Sequence, residues 1–288
     1  MYKKKSILLT FDVEDWFQVE NFKPYIDFST WNSFEIRVRK NTDNILDLLD
    51  SFPFSVKATF FILGWVAEKF PGLVHQIHSR GHEVASHGFN HHLCTHLDTE
   101  TLGRDLADSK SLLEDLTGER IFGYRAPSFA ITDKVLESIV QAGYRYDSSF
   151  NSFSAHGRYG TISLGKATKK NSAYLFKDNF YEIPVTNLEL FNRILPIGGG
   201  GYFRLYPLFF FNSCVQKILK KQDAFVFYAH PWEFDPDQPR VHRASKWFKF
   251  RHYVNLDKTE KKLRSMISAF FDCQFITCLD YIKKINRE

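Results

Sequence analysis

The chain has few cysteines, no long apolar run and no strong charge of either sign, and each shortage narrows what it can be. Its four cysteines, Cys94, Cys214, Cys273 and Cys278, include no C-x-x-C pair among 288 residues. A chain of this length needs no disulfide staples, so reduced thiols and a cytoplasmic location are expected. No stretch approaches the roughly 18 apolar residues of a membrane-crossing helix, so no integral membrane segment is expected. Lys3, Lys4 and Lys5 resemble the charged start of a leader. The apolar run behind them ends at Asp12, too short for a leader core, and no small-residue cleavage site follows. The net charge is only +5 and no nucleic-acid motif, internal repeat or low-complexity tract is present, so no nucleic-acid partner is expected. Basic and aromatic residues do interleave over 240–264, and Trp247 to Tyr253 are expected near a substrate cleft.

What is present suits a folded enzyme. Hydrophobic residues make up 44% of the chain and include 30 Phe, enough for a large core and against disorder. Strand-like and helix-like segments alternate. Residues 6–12, 56–63, 122–125, 144–147 and 224–228 read as strands. Residues 35–50, 65–79, 99–116, 132–142 and 207–221 read as helices, with another opening at Asp257, where Asp257 and Glu260 resemble a capping box. Repeated βα units argue for a parallel sheet or a (β/α) barrel, in which catalytic side chains sit where strands end.

Chemistry-bearing residues gather at those exits. Asp12, Glu14 and Asp15 follow the first strand; alone they would read as turn and cap chemistry. His87 and His91 stand four apart, a spacing that on a helical turn brings both imidazoles to one side, within reach of one metal. Two histidines and one carboxylate make the ligand set of a catalytic zinc site with an open position. His82, His92 and His96 lie nearby with weaker context, and Glu83 is expected to face a neighbouring strand. Arg125, beside Pro127, can hold a guanidinium against a carboxylate. Asp147 follows a strand. His230 leaves a strand between Ala229 and Pro231 with Trp232 beside it, a setting for a general acid or base.

In order, Thr10-Phe11-Asp12-Val13-Glu14-Asp15, His87-Gly88-Phe89-Asn90-His91, Arg125-Ala126-Pro127-Ser128-Phe129, Asp147-Ser148-Ser149 and Tyr228-Ala229-His230 resemble the five motifs of the polysaccharide deacetylase family, carbohydrate esterase family 4. The tail, with its Gly198–Gly201 run and His230-Pro231-Trp232-Glu233, is similar to a subgroup found in bacterial exopolysaccharide and surface-glycan loci. The resemblance implies a single catalytic domain over 1–288: a distorted (β/α) barrel of about seven parallel strands, with 236–288 as a C-terminal helical extension packed on it. It implies metal-dependent, zinc-type removal of an acetyl group from an N-acetylated sugar, free in a glycan or lipid-linked. Glu14 (preferred over Asp15, because it keeps the strand alternation set by Asp12), His87 and His91 would hold the metal. Asp12 would be the base, Arg125 would orient it, His230 would be the acid, and Asp147 would orient His230. Ser128, Phe129, Gly200, Tyr202 and Trp232 are the expected substrate contacts. The same residues leave room for deformylation of a lipid-linked formamido-sugar, a metal-independent amidohydrolase of small cyclic amides, or a non-catalytic glycan-binding member of the fold.

Overall fold

Strand β1 (Ser6–Val13) is buried along its whole length, as a central strand of a parallel sheet covered on both faces must be. Ile7, Leu9, Phe11 and Val13 pack into the helical layer, while Leu8 packs with the residues inside the sheet's concave face. The period of two therefore turns Thr10 and Asp12 inward with Leu8. Behind β1 come α1 (Val38–Asp50), β2 (Ala58–Ile62), α2 (Gly64–Lys69), α3 (Pro71–Ser79), β3 (Glu83–Ser86), α4 (Thr99–Thr117), β4 (Gly123–Tyr124), α5 (Asp133–Gln141) and β5 (Tyr146–Asp147). Next are β6 (Thr168–Lys170), β7 (Ala173–Leu175), β8 (Tyr181–Glu182) and the hairpin β9 (Asn187–Leu190) and β10 (Arg193–Pro196). The chain then forms α6 (Gly200–Leu205), α7 (Leu208–Lys221), β11 (Ala224–Ala229), α8 (Lys246–Tyr253), α9 (Thr259–Ala269), β12 (Gln274–Phe275) and α10 (Cys278–Asn286). This computed structural model describes residues 4–153, 159–191 and 193–287. The first three, which open the charged start, lie outside them.

Seven strands run parallel in the order β11-β1-β2-β3-β4-β5-β8, with β7 and β6 added antiparallel at the edge. The segment after β8 then reaches the outer edge of β11. The Val226 amide donates to Thr186 Oγ1 at 2.9 Å and the Tyr228 amide to the Gly198 carbonyl at 2.7 Å. The curled sheet with helices outside it is the expected distorted (β/α) barrel. The segment 236–288 does more than pack on its outside. Strand β12 pairs with Ser6 and Ile7 of β1, and α10 sends Cys278, Tyr281 and Ile282 into the cluster that contains Leu8 and Val226.

Local chemistry explains where the expected elements differ. The helix expected over 65–79 is two helices, because Pro71 forces Phe70 out of the helical region (φ −131°, ψ 61°). Asp257 and Glu260 make no capping box; α9 starts behind Lys258 without a side-chain cap. The β6–β10 segment, α6, β12 and α10 were not legible as elements, several being two to four residues long.

His82 is a structural histidine at the opposite end of the barrel from the strand exits. Its Nδ1 accepts the Ala58 amide at 3.2 Å, and burial holds its pKa down at about 4. A histidine kept neutral in the fold but free to protonate when unfolded, at about 6.5, supports stability above pH 6.5. That support is lost as the pH falls towards 4. His82→Asn, whose Oδ1 can replace Nδ1, is expected to flatten the fall in melting temperature between pH 7 and 4.5. An unchanged slope would show that His82 protonation is not coupled to folding.

Candidate active site

All five strand exits converge. Asp12 is the penultimate residue of β1, His87 follows β3, Arg125 follows β4, Asp147 ends β5 and His230 follows β11. A pocket of about 120 Å³ opens there, lined by Asp12, Glu14, His87, His91 and His230 among others.

At its centre, Glu14, His87 and His91 are buried, with one donor atom from each lying within 4.8 Å of the other two. The two histidines are not on a helix. They leave β3 on a loop in which Gly88 (φ 74°) and His91 (φ 56°) take left-handed conformations. Those turns, rather than helical spacing, bring the rings to 5.5 Å between centroids. A Cβ at Gly88 would stand 2.9 Å from Asp105 Oδ2, so glycine serves both the turn and the close approach. His87 donates from Nδ1 to the Arg125 carbonyl at 2.7 Å, which leaves its Nε2 lone pair facing the pocket. Glu14 Oε2 lies 2.7 Å from His91 Nε2 yet has no hydrogen-bond partner among the described residues. Two imidazoles and a carboxylate crowded this closely, with acceptor electrons aimed at one point, fit a divalent metal of the zinc type. Burial pushes His87 down to about 4, favouring the neutral form that can ligate. Burial alone would raise Glu14, but His91 and His230 hold it well below the carboxylate range.

Asp15 turns the other way. Its Oδ2 accepts the Arg37 and Val38 amides, at 2.7 and 2.8 Å, at the start of α1, and its Oδ1 accepts that of Trp16. Glu83 also faces away from the metal cluster, accepting hydrogen bonds from Thr59 and Tyr146.

Arg125 is fully buried. Its NH1 donates to Asp12 Oδ1 and to Thr10 Oγ1, both at 2.7 Å, and its Nε and NH2 donate to the Ser148 carbonyl and hydroxyl. The guanidinium also lies over the Phe61 ring, 4.1 Å from its centroid. Asp12 is thereby fixed by one oxygen, and Oδ2 stays 3.9 Å from His230 Nε2.

The expected partner of His230 is corrected here. Asp147 accepts from the Ser149 hydroxyl and amide, and that hydroxyl accepts the Ala126 amide. Asp147 therefore braces the Arg125 loop. Beside it, burial and then the Asp147 charge hold Glu182 well above the carboxylate range, so Glu182 stays protonated. His230 Nδ1 instead bonds Glu233 Oε1 at 2.8 Å, and Glu233 Oε2 accepts Arg204 Nε at 2.7 Å. Arg204 in turn donates to the carbonyls of His252, Val254 and Arg251. Burial opposes protonation of His230, but Glu14, Glu233 and Asp12 raise its pKa to about 9.

Sequence reasoning gave Glu233 and Arg204 no role. The signal for Glu233 was the spacing itself: His230, with Pro231 next and Glu233 three residues on, caps a short 3-10 turn reciprocally. Gly200 does not line the pocket, which its neighbour Gly201 does. A Cβ there would stand 2.3 Å from Glu233 Oε1, so its bareness makes room for that carboxylate. Ser128, Phe129, Tyr202 and Trp232 do line the pocket, Ser128 and Phe129 both at positive φ. Trp232 donates to Glu14 Oε1 at 3.1 Å and stacks between His230 and His252, a buried ring that sequence reasoning also missed. Of the basic-aromatic stretch, Arg251 and His252 reach this pocket, while Trp247 turns outward.

Residues 2–146, half of the chain, match the polysaccharide deacetylase family model. The chain belongs to this family. Residues 148–283 match a second family described only as a domain of unknown function (DUF3473). The deacetylase barrel spans both matches, since β8, β11 and β12 come from the second. A peptidoglycan deacetylase-like protein of Gibberella zeae is 34% identical over 121 residues, 42% of this chain and 36% of that protein. A peptidoglycan-N-acetylglucosamine deacetylase of Bacillus cereus is 34% identical over 104 residues, 36% of this chain and 47% of that protein. The matches thus span less than half the length of these relatives. Among solved structures, a candidate polysaccharide deacetylase from Mycobacterium smegmatis superposes with a TM-score of 0.63 at 18% identity, over 100% of this chain and 92% of that one. Peptidoglycan deacetylase PdaC from Bacillus subtilis superposes at 0.51 with 16% identity, over 99% and 93%. These structures share the fold.

Glu14→Ala and His87→Ala are expected to weaken zinc binding by on the order of 100-fold or more, whereas Asp15→Asn and His92→Ala retain it. Equilibrium dialysis with elemental analysis reads the difference. Equal losses in all four variants would remove Glu14 and His87 from the ligand set.

Proposed function

We propose that the protein is a zinc-dependent hydrolase that removes the N-acetyl group from an N-acetylated sugar of a bacterial surface polysaccharide or its lipid-linked precursor. One observation carries this reading: a carboxylate fixed by a buried arginine and a histidine backed by a buried carboxylate share a pocket with a two-histidine, one-carboxylate donor set. The activities named for the Bacillus relatives support an N-acetylated glycan. The four cysteines are free, which suits a reducing, cytoplasmic setting.

Glu14, His87 and His91 would hold the metal, which would supply Lewis acidity to the amide carbonyl and lower the pKa of the attacking water. The remaining work falls to the chain. Asp12 takes the proton from that water through Oδ2, the oxygen that Arg125 leaves free. Arg125 holds Asp12 through Oδ1 and stops it from swinging towards the histidines. As the tetrahedral centre forms, the Ser128 amide would donate to the developing oxyanion, a role open to any residue but proline. His230, doubly protonated and held by Glu233 at Nδ1, gives the Nε2 proton to the nitrogen as the C–N bond breaks. An amine cannot leave without that proton. Glu233 is thus a positioning residue, and Arg204 keeps it ionised. The catalytic unit takes in the whole chain, since the base comes from its first half and the acid from its second.

Acetate release from N-acetylglucosamine oligomers tests the reading. Activity is expected to vanish on chelation and return with zinc. Asp12→Asn should keep metal but lose on the order of 10²–10⁴-fold in kcat. His230→Ala and Glu233→Gln should fall strongly on the amide and much less on an activated aryl acetate, whose leaving group needs no proton. Equal losses on both substrates would contradict the acid assignment, and full activity in verified metal-free protein would contradict the zinc reading.

A further inference from the structure

Beside the catalytic pocket lies a face that the reaction does not use. A second, mostly apolar groove shares Gly201, Tyr202 and Arg251 with the pocket and is otherwise lined by Leu205, Trp247, Phe250 and Val254. Trp247 is 62% exposed and stacks on Phe250, itself half exposed, at 6.0 Å. From Tyr202 the aromatic surface continues through Tyr206 to Phe210, with ring centroids 6.0 and 5.4 Å apart, and the neighbouring Phe209 is 78% exposed. Exposed apolar side chains scattered singly need no explanation, but a connected set around one groove marks an interaction surface.

Charge identifies the partner. Residues 238–256, which contain α8, hold five basic residues (Arg240, Arg243, Lys246, Lys249 and Arg251) and no Asp or Glu. Residues 198–222, which contain α6 and α7, also hold no acid. Arg240, Arg243 and Lys246 are exposed. Sugar-binding surfaces pair ring faces with carboxylates or amides that engage hydroxyls, and here four of the five exposed large side chains are Leu or Phe in a stretch without carboxylates. Leucine, phenylalanine and tryptophan beside lysine and arginine are what an interfacial surface presents to a bilayer: apolar side chains enter the headgroup boundary and long cations reach the phosphates.

We propose that this face, formed by Leu205, Phe209, Phe210, Trp247 and Phe250 with the cations of α8, docks the protein on an anionic membrane surface. Docking there sets the mouth of the catalytic pocket against the bilayer, where a lipid-linked glycan would be presented. Binding is read without turnover, so failure of this proposal is separate from failure of the deacetylase reading.

The test is flotation of the full chain with vesicles of phosphatidylcholine containing phosphatidylglycerol, and with phosphatidylcholine alone, at low and high salt. The protein is expected to float with the anionic vesicles, about tenfold or more weakly with neutral ones or at 0.5 M salt. Trp247→Ala/Phe250→Ala and Lys246→Gln/Lys249→Gln should each weaken binding to anionic vesicles by about tenfold. All of these positions are at the surface, so melting temperatures should be unchanged. No flotation above background, or flotation equal in parent and variants, overturns the proposal. So does a concentration-dependent dimer in sedimentation that the Trp247→Ala/Phe250→Ala variant loses, which would assign the face to a second copy of the chain.

Discussion

The site depends on one buried cation. Arg125 spends every guanidinium nitrogen on the barrel interior, reaching Asp12, Thr10 and Ser148, while its own carbonyl receives His87. Removing a charge of this size from water is tolerable only because a carboxylate and neutral acceptors surround it. The consequence is geometric. Asp12, the proposed base, and His87, a proposed metal ligand, answer to a single residue, which is held in turn by the loop after β5 and by the Asp147–Ser149 brace. Breaking one partner of such a pair leaves a bare buried charge, typically costing about 3–5 kcal/mol, so the base cannot drift without endangering the fold.

A second buried pair repeats the device on the acid side. Arg204 and Glu233 are each almost inaccessible to solvent, and their contact fixes His230 while the remaining guanidinium nitrogens hold the end of α8. Gly200 is bare so that the carboxylate can fit. The part of the chain matched only to a domain of unknown function therefore supplies His230, the proposed acid, with the Glu233 carboxylate that holds it and the Arg204 cation behind that. It also supplies β12, which pairs beside the start of the strand that carries Asp12.

Much of this was legible in the residues. Acidic, histidine and arginine side chains at successive strand exits announced a site. What escaped had physical reasons. The histidine pair reads as helical by spacing, but Gly88 and a left-handed His91 achieve the same approach on a loop. Glu233 lies three residues from the side chain it holds and resembles a helix cap, which it also is. Arg204 gives no local hint, because its partners lie 29 to 50 positions away. Asp147 keeps its place in the motif order while serving the arginine loop, a change that only the competing Glu233 makes visible. Strands of two residues, such as β12, carry too little pattern for a period of two to register.

The central claim is that Glu14, His87 and His91 hold one metal between the Asp12 base and the His230 acid. X-ray absorption at the zinc edge of the loaded protein tests it most directly. The predicted spectrum has nitrogen and oxygen neighbours at about 2.0–2.1 Å, with multiple scattering from two imidazoles and no sulfur, and loses one imidazole in His91→Ala. Sulfur ligation, or a spectrum unchanged by that substitution, would contradict it.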